Sequence, residues 1–152
     1  MVDSFPKGTY CIILKTGGCT QKVGSLGEIE FKTGYYVYVG SALGPGGLKR
    51  MYRHISLYEN RGEDYFKKPR WHIDYLLLSP FFNLEDVLYV ESEERIECAL
   101  AERIDVGILG FGCSDCSCHS HLFYRQGYPV EEIKKVIEGL NQIPQILGKG
   151  IK

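Results

Sequence analysis

The break Gly44-Pro45-Gly46-Gly47 constrains this chain more than any other feature, because the sequence reads as strand before it and as helix after it. On its N-terminal side, Tyr35 to Ser41 is dense in aromatic residues, which favour a pleated surface. On its C-terminal side, Leu48, Met51, Tyr52 and Ile55 recur at helical spacing on one face. Both kinds of element must therefore share one core. Upstream, Gly8 to Lys15 reads as a first strand and the alternating stretch Leu26 to Lys32 as a second, turned into the third by Thr33-Gly34. Downstream, Trp71 to Leu78 is a short apolar element that fits helix or strand equally. Asp86 to Glu91 reads as a strand. Ser92 can cap a helix with Glu93 and Glu94 in its first turn and Ile96, Ala99, Leu100 and Ile104 on its apolar face. Gly107 to His121 reads as a loop and His121 to Arg125 as a short strand. Pro129 opens a last helix, with Val130, Ile133, Val136, Ile137 and Leu140 facing inward. The pattern predicts one α+β domain over residues 1–152, a small, mainly antiparallel sheet flanked by helices. Its core covers about 8–106, and a Cys/His loop and C-terminal helix occupy 107–152.

At 152 residues and 44% hydrophobic, the chain can bury one respectable core. No run of about 18 apolar residues is present, so no membrane partner is expected. The N-terminus lacks the regions of a signal peptide. Of the six cysteines, Cys11 and Cys98 sit in apolar patterns, Cys19 in a Gly-rich turn, and Cys113, Cys116 and Cys118 in one loop. That placement fits a reduced, cytoplasmic protein better than a disulfide framework. The net charge of -1 does not advertise a polyanionic partner, but its distribution is uneven. Residues 49–72 carry seven Lys and Arg against three acids, and residues 83–105 carry eight acids against two Arg. A basic face beside an acidic helix suits a site that attracts phosphate and holds a metal, and equally suits two ordinary solvated faces.

Single residues say little. Arg50 and His54, four apart, share a helix face roughly opposite the Leu48–Met51–Ile55 stripe and are expected to point outward. Glu102 likewise points away from the Ile96–Leu100–Ile104 stripe. An outward Arg, His or Glu usually meets only water.

The ordered combination is more specific. Gly8-Thr9-Tyr10, Tyr38-Val39-Gly40-Ser41, Leu48-Lys49-Arg50 with His54 four residues on, and Ala99-Leu100-Ala101-Glu102 together resemble the GIY-YIG endonucleases over Gly8 to about Ile104. The stretches Tyr-Val-Gly-Ser-Ala-Leu-Gly-Pro-Gly-Gly, Trp-His-Ile-Asp-Tyr-Leu-Leu and Ser-Asp-Cys-Ser-Cys-His-Ser-His-Leu-Phe-Tyr most resemble a largely archaeal branch, sometimes fused to endonuclease III. The resemblance implies a GIY-YIG nuclease-like fold and metal-dependent hydrolysis of DNA, possibly repair-related and beside a base-excision repair enzyme. Tyr10 would be the general base. A phenol titrates near pH 10, so it needs positive charge nearby, and Arg50 is the natural supplier as well as a bidentate match for phosphate. Glu102 would hold one Mg²⁺ or Mn²⁺, leaving most of the ion's shell to water and phosphate. Tyr38 would position water or phosphate, Gly40 would let the backbone approach the substrate closely, and Ser41 would bind substrate beside it. His54 would contact phosphate or shuttle a proton. Lys49, Arg53, Lys67, Lys68 and Arg70 would meet backbone phosphates, with His72 in the cleft. Thr9 and Val39 stand where the family has isoleucines, and no asparagine follows the glutamate helix.

Two segments lie beside this pattern. Cys113, Cys116, Cys118 and His121 are types that bind zinc, although the Cys-Ser-Cys spacing is tight and no distant pair closes the site. A packed polar turn leading into a strand explains them as well. Redox chemistry would need a helix N-terminus that the loop does not offer. Trp71 can stack on a base, with His72 and Asp74 gripping phosphate, or it can join Ile73 and Leu76 in the core. Two functions follow: a metal-dependent endonuclease, or a non-catalytic nucleic-acid-binding module of the same fold.

Overall fold

The computed structural model describes residues 5–62, 68–104 and 121–147. Among these, strands β1 (Gly8–Thr16), β4 (Gly34–Ala42), β5 (Phe82–Glu91), β6 (Leu122–Arg125) and β7 (Gln145–Ile146) form one sheet in the order β6-β4-β1-β5-β7. All its pairings are antiparallel. β2 (Cys19–Lys22) and β3 (Glu28–Phe31) pair separately as a small antiparallel ribbon. Four helices flank the sheet: α1 (Lys49–Glu59), α2 (His72–Leu77), α3 (Glu97–Ile104) and α4 (Val130–Gly139). The architecture is α+β.

Side chains on a strand alternate between faces, and here both faces are covered, so β1 is buried almost throughout. Tyr10, Ile12 and Leu14 join Tyr36 and Tyr38 of β4, Met51 and Ile55 of α1, and Ile73, Leu76 and Leu77 of α2. Cys11 and Ile13 join Val37, Val39, Leu88 and Val90 with Leu100, Ala101 and Ile104 of α3 and Ile133 and Ile137 of α4. The first motif tyrosines thus share the α1/α2 face, and α3 packs on the opposite one.

The ambiguous segment at Trp71 is helical, and its start is fixed by Asp74, whose carboxylate accepts the backbone N–H groups of Arg70 (2.8 Å) and Trp71 (3.1 Å). Ser92 does not cap a helix. Its hydroxyl accepts the Glu94 N–H at 3.0 Å and closes a turn, and α3 begins only at Glu97. No helix among the described residues is long and apolar enough to cross a membrane.

Candidate active site

The sequence predicts Tyr10 on the first strand and Tyr38 on the third, and the sheet register explains how they meet. Tyr10 faces Gly40 directly across the β1–β4 ladder. A β-carbon built at Gly40 would lie 2.4 Å from Tyr10 Cζ and 2.6 Å from its hydroxyl oxygen. Glycine is therefore required at position 40 by the Tyr10 ring, which crosses over it, rather than by the approach of a substrate. The ring ends beside Tyr38 (centroids 6.4 Å apart) and His54 (5.7 Å).

A cavity of ≈ 470 Å³ opens above this aromatic floor. Tyr10 and Tyr38 come from the sheet, Arg50 and His54 from α1, and Trp71 and His72 from the start of α2. Ser41 and Arg70 also line it. His54 is not outward: only 4% of it is exposed, because Tyr10, Tyr38 and Trp71 pack around its ring. Its Nδ1 lies 3.4 Å from Asp74 Oδ1. Burial pushes the Asp74 carboxyl up, but contact with His54 and the two backbone N–H donors outweigh it and hold the group below the usual aspartate value. A buried carboxylate behind a cavity-lining imidazole orients the ring.

Arg50 donates to the Ser41 carbonyl at 3.1 Å and lies over Trp71, with Cζ 5.3 Å from the ring centre. Arg53 (5.7 Å) and Arg70 (5.1 Å) approach the same ring. One half-buried indole thus gathers three guanidinium groups, of which Arg50 and Arg70 line the cavity and Arg53 does not, and no carboxylate among the described residues lies within ion-pair distance of them. Lys49 and Lys68 are exposed and do not line the cavity, and Lys67 lies outside the described residues.

The carboxylate is not where the sequence pattern places it. Glu102 is exposed on α3 and is not among the residues lining the cavity. Glu97, in the first turn of α3, is 6% exposed and does line it. Its Oε1 accepts from Arg95 at 3.2 Å, and its Oε2 lies 4.0 Å from Nδ1 of His121, which is 2% exposed. Although α3 packs on the far face of the sheet, its N-terminal turn reaches the cavity rim. Glu97 stands on the same helical stripe as Leu100, Ala101 and Ile104, the buried positions of α3. An acid at i of an i, i+3, i+4, i+7 apolar stripe is the signal that would have identified it. Cys113, Cys116 and Cys118 lie outside the described residues, so the zinc set is represented here by His121 alone, and its ring belongs to this cavity.

One electrostatic expectation changes. Burial raises the Tyr10 hydroxyl well above the usual phenol value, Tyr38 adds to the rise, and Arg50 only partly offsets it. Tyr10 is a protonated donor at neutral pH. Burial also lowers His72, which favours its neutral form.

Glu97 is the one carboxylate among the described residues that lines the cavity, and it is the group that could hold a hydrated divalent ion there. No group of three or more metal-binding side chains occurs among the described residues. A family model described as domain of unknown function DUF123 matches residues 9–142. No curated protein and no solved structure matches the chain.

Proposed function

The chain belongs to the DUF123 family, a domain of unknown function, and on that premise we propose that it hydrolyses phosphodiester bonds of nucleic acid, DNA in the first place, with one Mg²⁺ or Mn²⁺. The observation that carries this reading is the convergence of Tyr10, Tyr38, Arg50, His54 and Glu97, from two strands and two helices, on one cavity. The resemblance to GIY-YIG endonucleases supports it, as do the three guanidinium groups around Trp71. Action in the cytoplasm, beside a base-excision repair enzyme, belongs to the same proposal.

Phosphodiester hydrolysis needs an oriented water, somewhere for its proton to go, and positive charge against the growing charge on phosphorus-bound oxygen. Arg50, held by Ser41 and Trp71, faces the phosphate as a preorganised donor. Tyr10 and Tyr38 donate hydrogen bonds that orient the water or a non-bridging oxygen. His54, with Asp74 behind Nδ1, takes the water's proton at Nε2, and the carboxylate stabilises the imidazolium that results. Glu97 would hold the divalent ion, which when bound supplies positive charge at the phosphate and the leaving oxygen.

The test is cleavage of linear, branched, abasic and single-stranded DNA in Mg²⁺ or Mn²⁺. Glu97→Gln and Arg50→Ala should each slow cleavage by about 10²-fold or more, on the order of 3 kcal/mol, while binding stays within several-fold because the arginines near Trp71 remain. Glu102→Gln should cleave like the wild type. A wild-type protein that binds every substrate and cuts none in any divalent metal is a nucleic-acid-binding module instead.

A further inference from the structure

We propose that the outward face of α1, from Trp71 at the cavity edge through Arg53 and Tyr52 to Phe5, is a track for an unpaired DNA strand, so that the substrate is single-stranded on at least one side of the bond to be cut. The inference rests on the phosphodiester reading above and gives that site a substrate class.

Helical spacing puts Lys49, Tyr52, Arg53 and Ser56 on one side of α1, and all four are exposed. Tyr52 has the spacing of the apolar stripe but is 38% exposed, whereas Met51 and Ile55 are buried. Its ring meets that of Phe5, itself 37% exposed, at a centroid separation of 5.5 Å. The backbone that carries Phe5 is fixed against the start of α1. The Leu48 N–H donates to the Pro6 carbonyl at 2.9 Å, and a β-carbon at Gly47 would lie 2.5 Å from the carbonyl oxygens of Phe5 and Pro6. Two touching aromatic rings held in the open forgo much of the burial that such side chains usually gain.

Charge on this face has one sign. Lys49 and Arg53 are its cations, and Glu59, at the last position, is the one acid of α1. No acid stands in the first turn, where the helix dipole would favour one, and Lys49 and Arg50 stand there instead. No carboxylate among the described residues forms an ion pair with Lys49 or Arg53. Arg53 reaches the Trp71 indole from outside the cavity, with Cζ 5.7 Å from the ring centre, and Arg50 reaches it from inside. Cations with aromatic rings between them therefore run from the cavity edge to Phe5. Guanidinium and ammonium groups accept the phosphates of a duplex or a single strand alike. Exposed rings accept only bases that have left a duplex, because paired bases stack on one another. The rings are what select an unpaired strand.

The experiment measures binding of the full chain, without divalent metal, to a thymidine oligomer of about 12 nucleotides and to a duplex of equal length. Trp71 is the chain's one tryptophan, so its fluorescence reads the start of the track directly. The single strand should bind about tenfold or more tighter than the duplex and quench Trp71, which the duplex should not. Tyr52→Ala should weaken the single strand by about fivefold or more and leave the duplex within about twofold, while Tyr52→Phe should bind like the wild type. Arg53→Ala should weaken both and lower the salt slope on the single strand by about 0.7. Should Tyr52→Ala fail to fold, Phe5→Ala makes the same test. Equal affinity for strand and duplex, or single-strand affinity unchanged in both alanine variants, overturns the track and leaves the hydrolytic reading to its own test. Binding to neither oligomer overturns both. Tyr52-dependent binding of the single strand, with no cleavage of a flapped duplex in Mg²⁺ or Mn²⁺, keeps the track and sinks the hydrolytic reading.

Discussion

A β-carbon at position 40 would meet the Tyr10 ring at 2.4 Å, and Tyr10 has nowhere to retreat because it is 1% exposed. Gly40→Ala is therefore expected to cost about 1–3 kcal/mol through overpacking and to displace the Tyr10 hydroxyl from the cavity. Chemical denaturation and the tyrosine hydroxyl's environment by NMR would check it, with Gly44→Ala as the control, since nothing lies within 4 Å of a β-carbon there. Asp74 gives a pH signature. Its folded carboxyl lies below the ordinary aspartate value despite burial, because His54 and two backbone N–H groups favour the charged form. Such a group stabilises the fold fully above the unfolded value of 3.8 and loses that contribution as pH falls through the lower, folded value. Asp74→Asn should thus lower stability at pH 7 by about 1–3 kcal/mol, and the gap to wild type should narrow only below about pH 4. Equal denaturation midpoints at pH 7 would show that the carboxylate does not organise this corner. Cys11 makes the contrast: burial pushes its thiol up to about 12, so it is an inert piece of core.

Arg125 of β6 is the junction at the level of elements. It donates to both carboxylate oxygens of Glu132 in α4, to the Tyr124 carbonyl, and to the carbonyl of Ile104 at the end of α3. Its hydrogen bonds draw the Glu132 carboxyl below the usual glutamate value, burial opposing them. The ion pair is partly exposed, so screening limits its worth, and the bond to Ile104 matters more. Arg125→Ala should lower the melting temperature more than Glu132→Ala does, by about 1–2 kcal/mol of extra destabilisation. Similar losses would mean that the salt bridge alone ties α4 down. The elements themselves were largely legible: β1, β4, α1 and α4 follow from aromatic runs, the Gly-Pro-Gly-Gly break and clean helical stripes. The start of α3 was not. A serine followed by two acids has the composition of an N-cap, yet Ser92 closes a turn and α3 begins five residues later, at Glu97. Glu102 stands out in the sequence through the Ala-Leu-Ala-Glu motif and its outward face, whereas Glu97 is hidden on the buried stripe. His54 was misread for a related reason. A helical wheel shows the face nearest the core but not a second surface made by Tyr10, Tyr38 and Trp71. The short strands β2 and β7 carry too few apolar residues to register as a pattern.

Across the whole molecule, the sheet divides labour between its two faces. The α1/α2 face carries the aromatic floor and the arginines; the α3/α4 face supplies an aliphatic base. Glu97 and His121 reach the cavity from the edge between them. The charge asymmetry of the sequence has a partial counterpart here, since Arg50, Arg53 and Arg70 cluster at one indole, whereas most acids of 83–105 lie exposed or half-exposed on β5 and around α3. β1 is bonded along its full length to β4 on one side and β5 on the other. A strand paired on both sides gives up its amides to solvent only when the sheet itself opens, whereas six-residue α2 and eight-residue α3 can fray alone. Deuterium should therefore enter the backbone of α2 and α3 well before that of β1, which exchange followed by mass spectrometry would resolve; simultaneous entry would mean that the molecule opens only as one unit. The lining of one cavity is thus expected to keep two clocks, a slow one in the tyrosine floor and a fast one at Glu97 and at the Trp71–His72 edge.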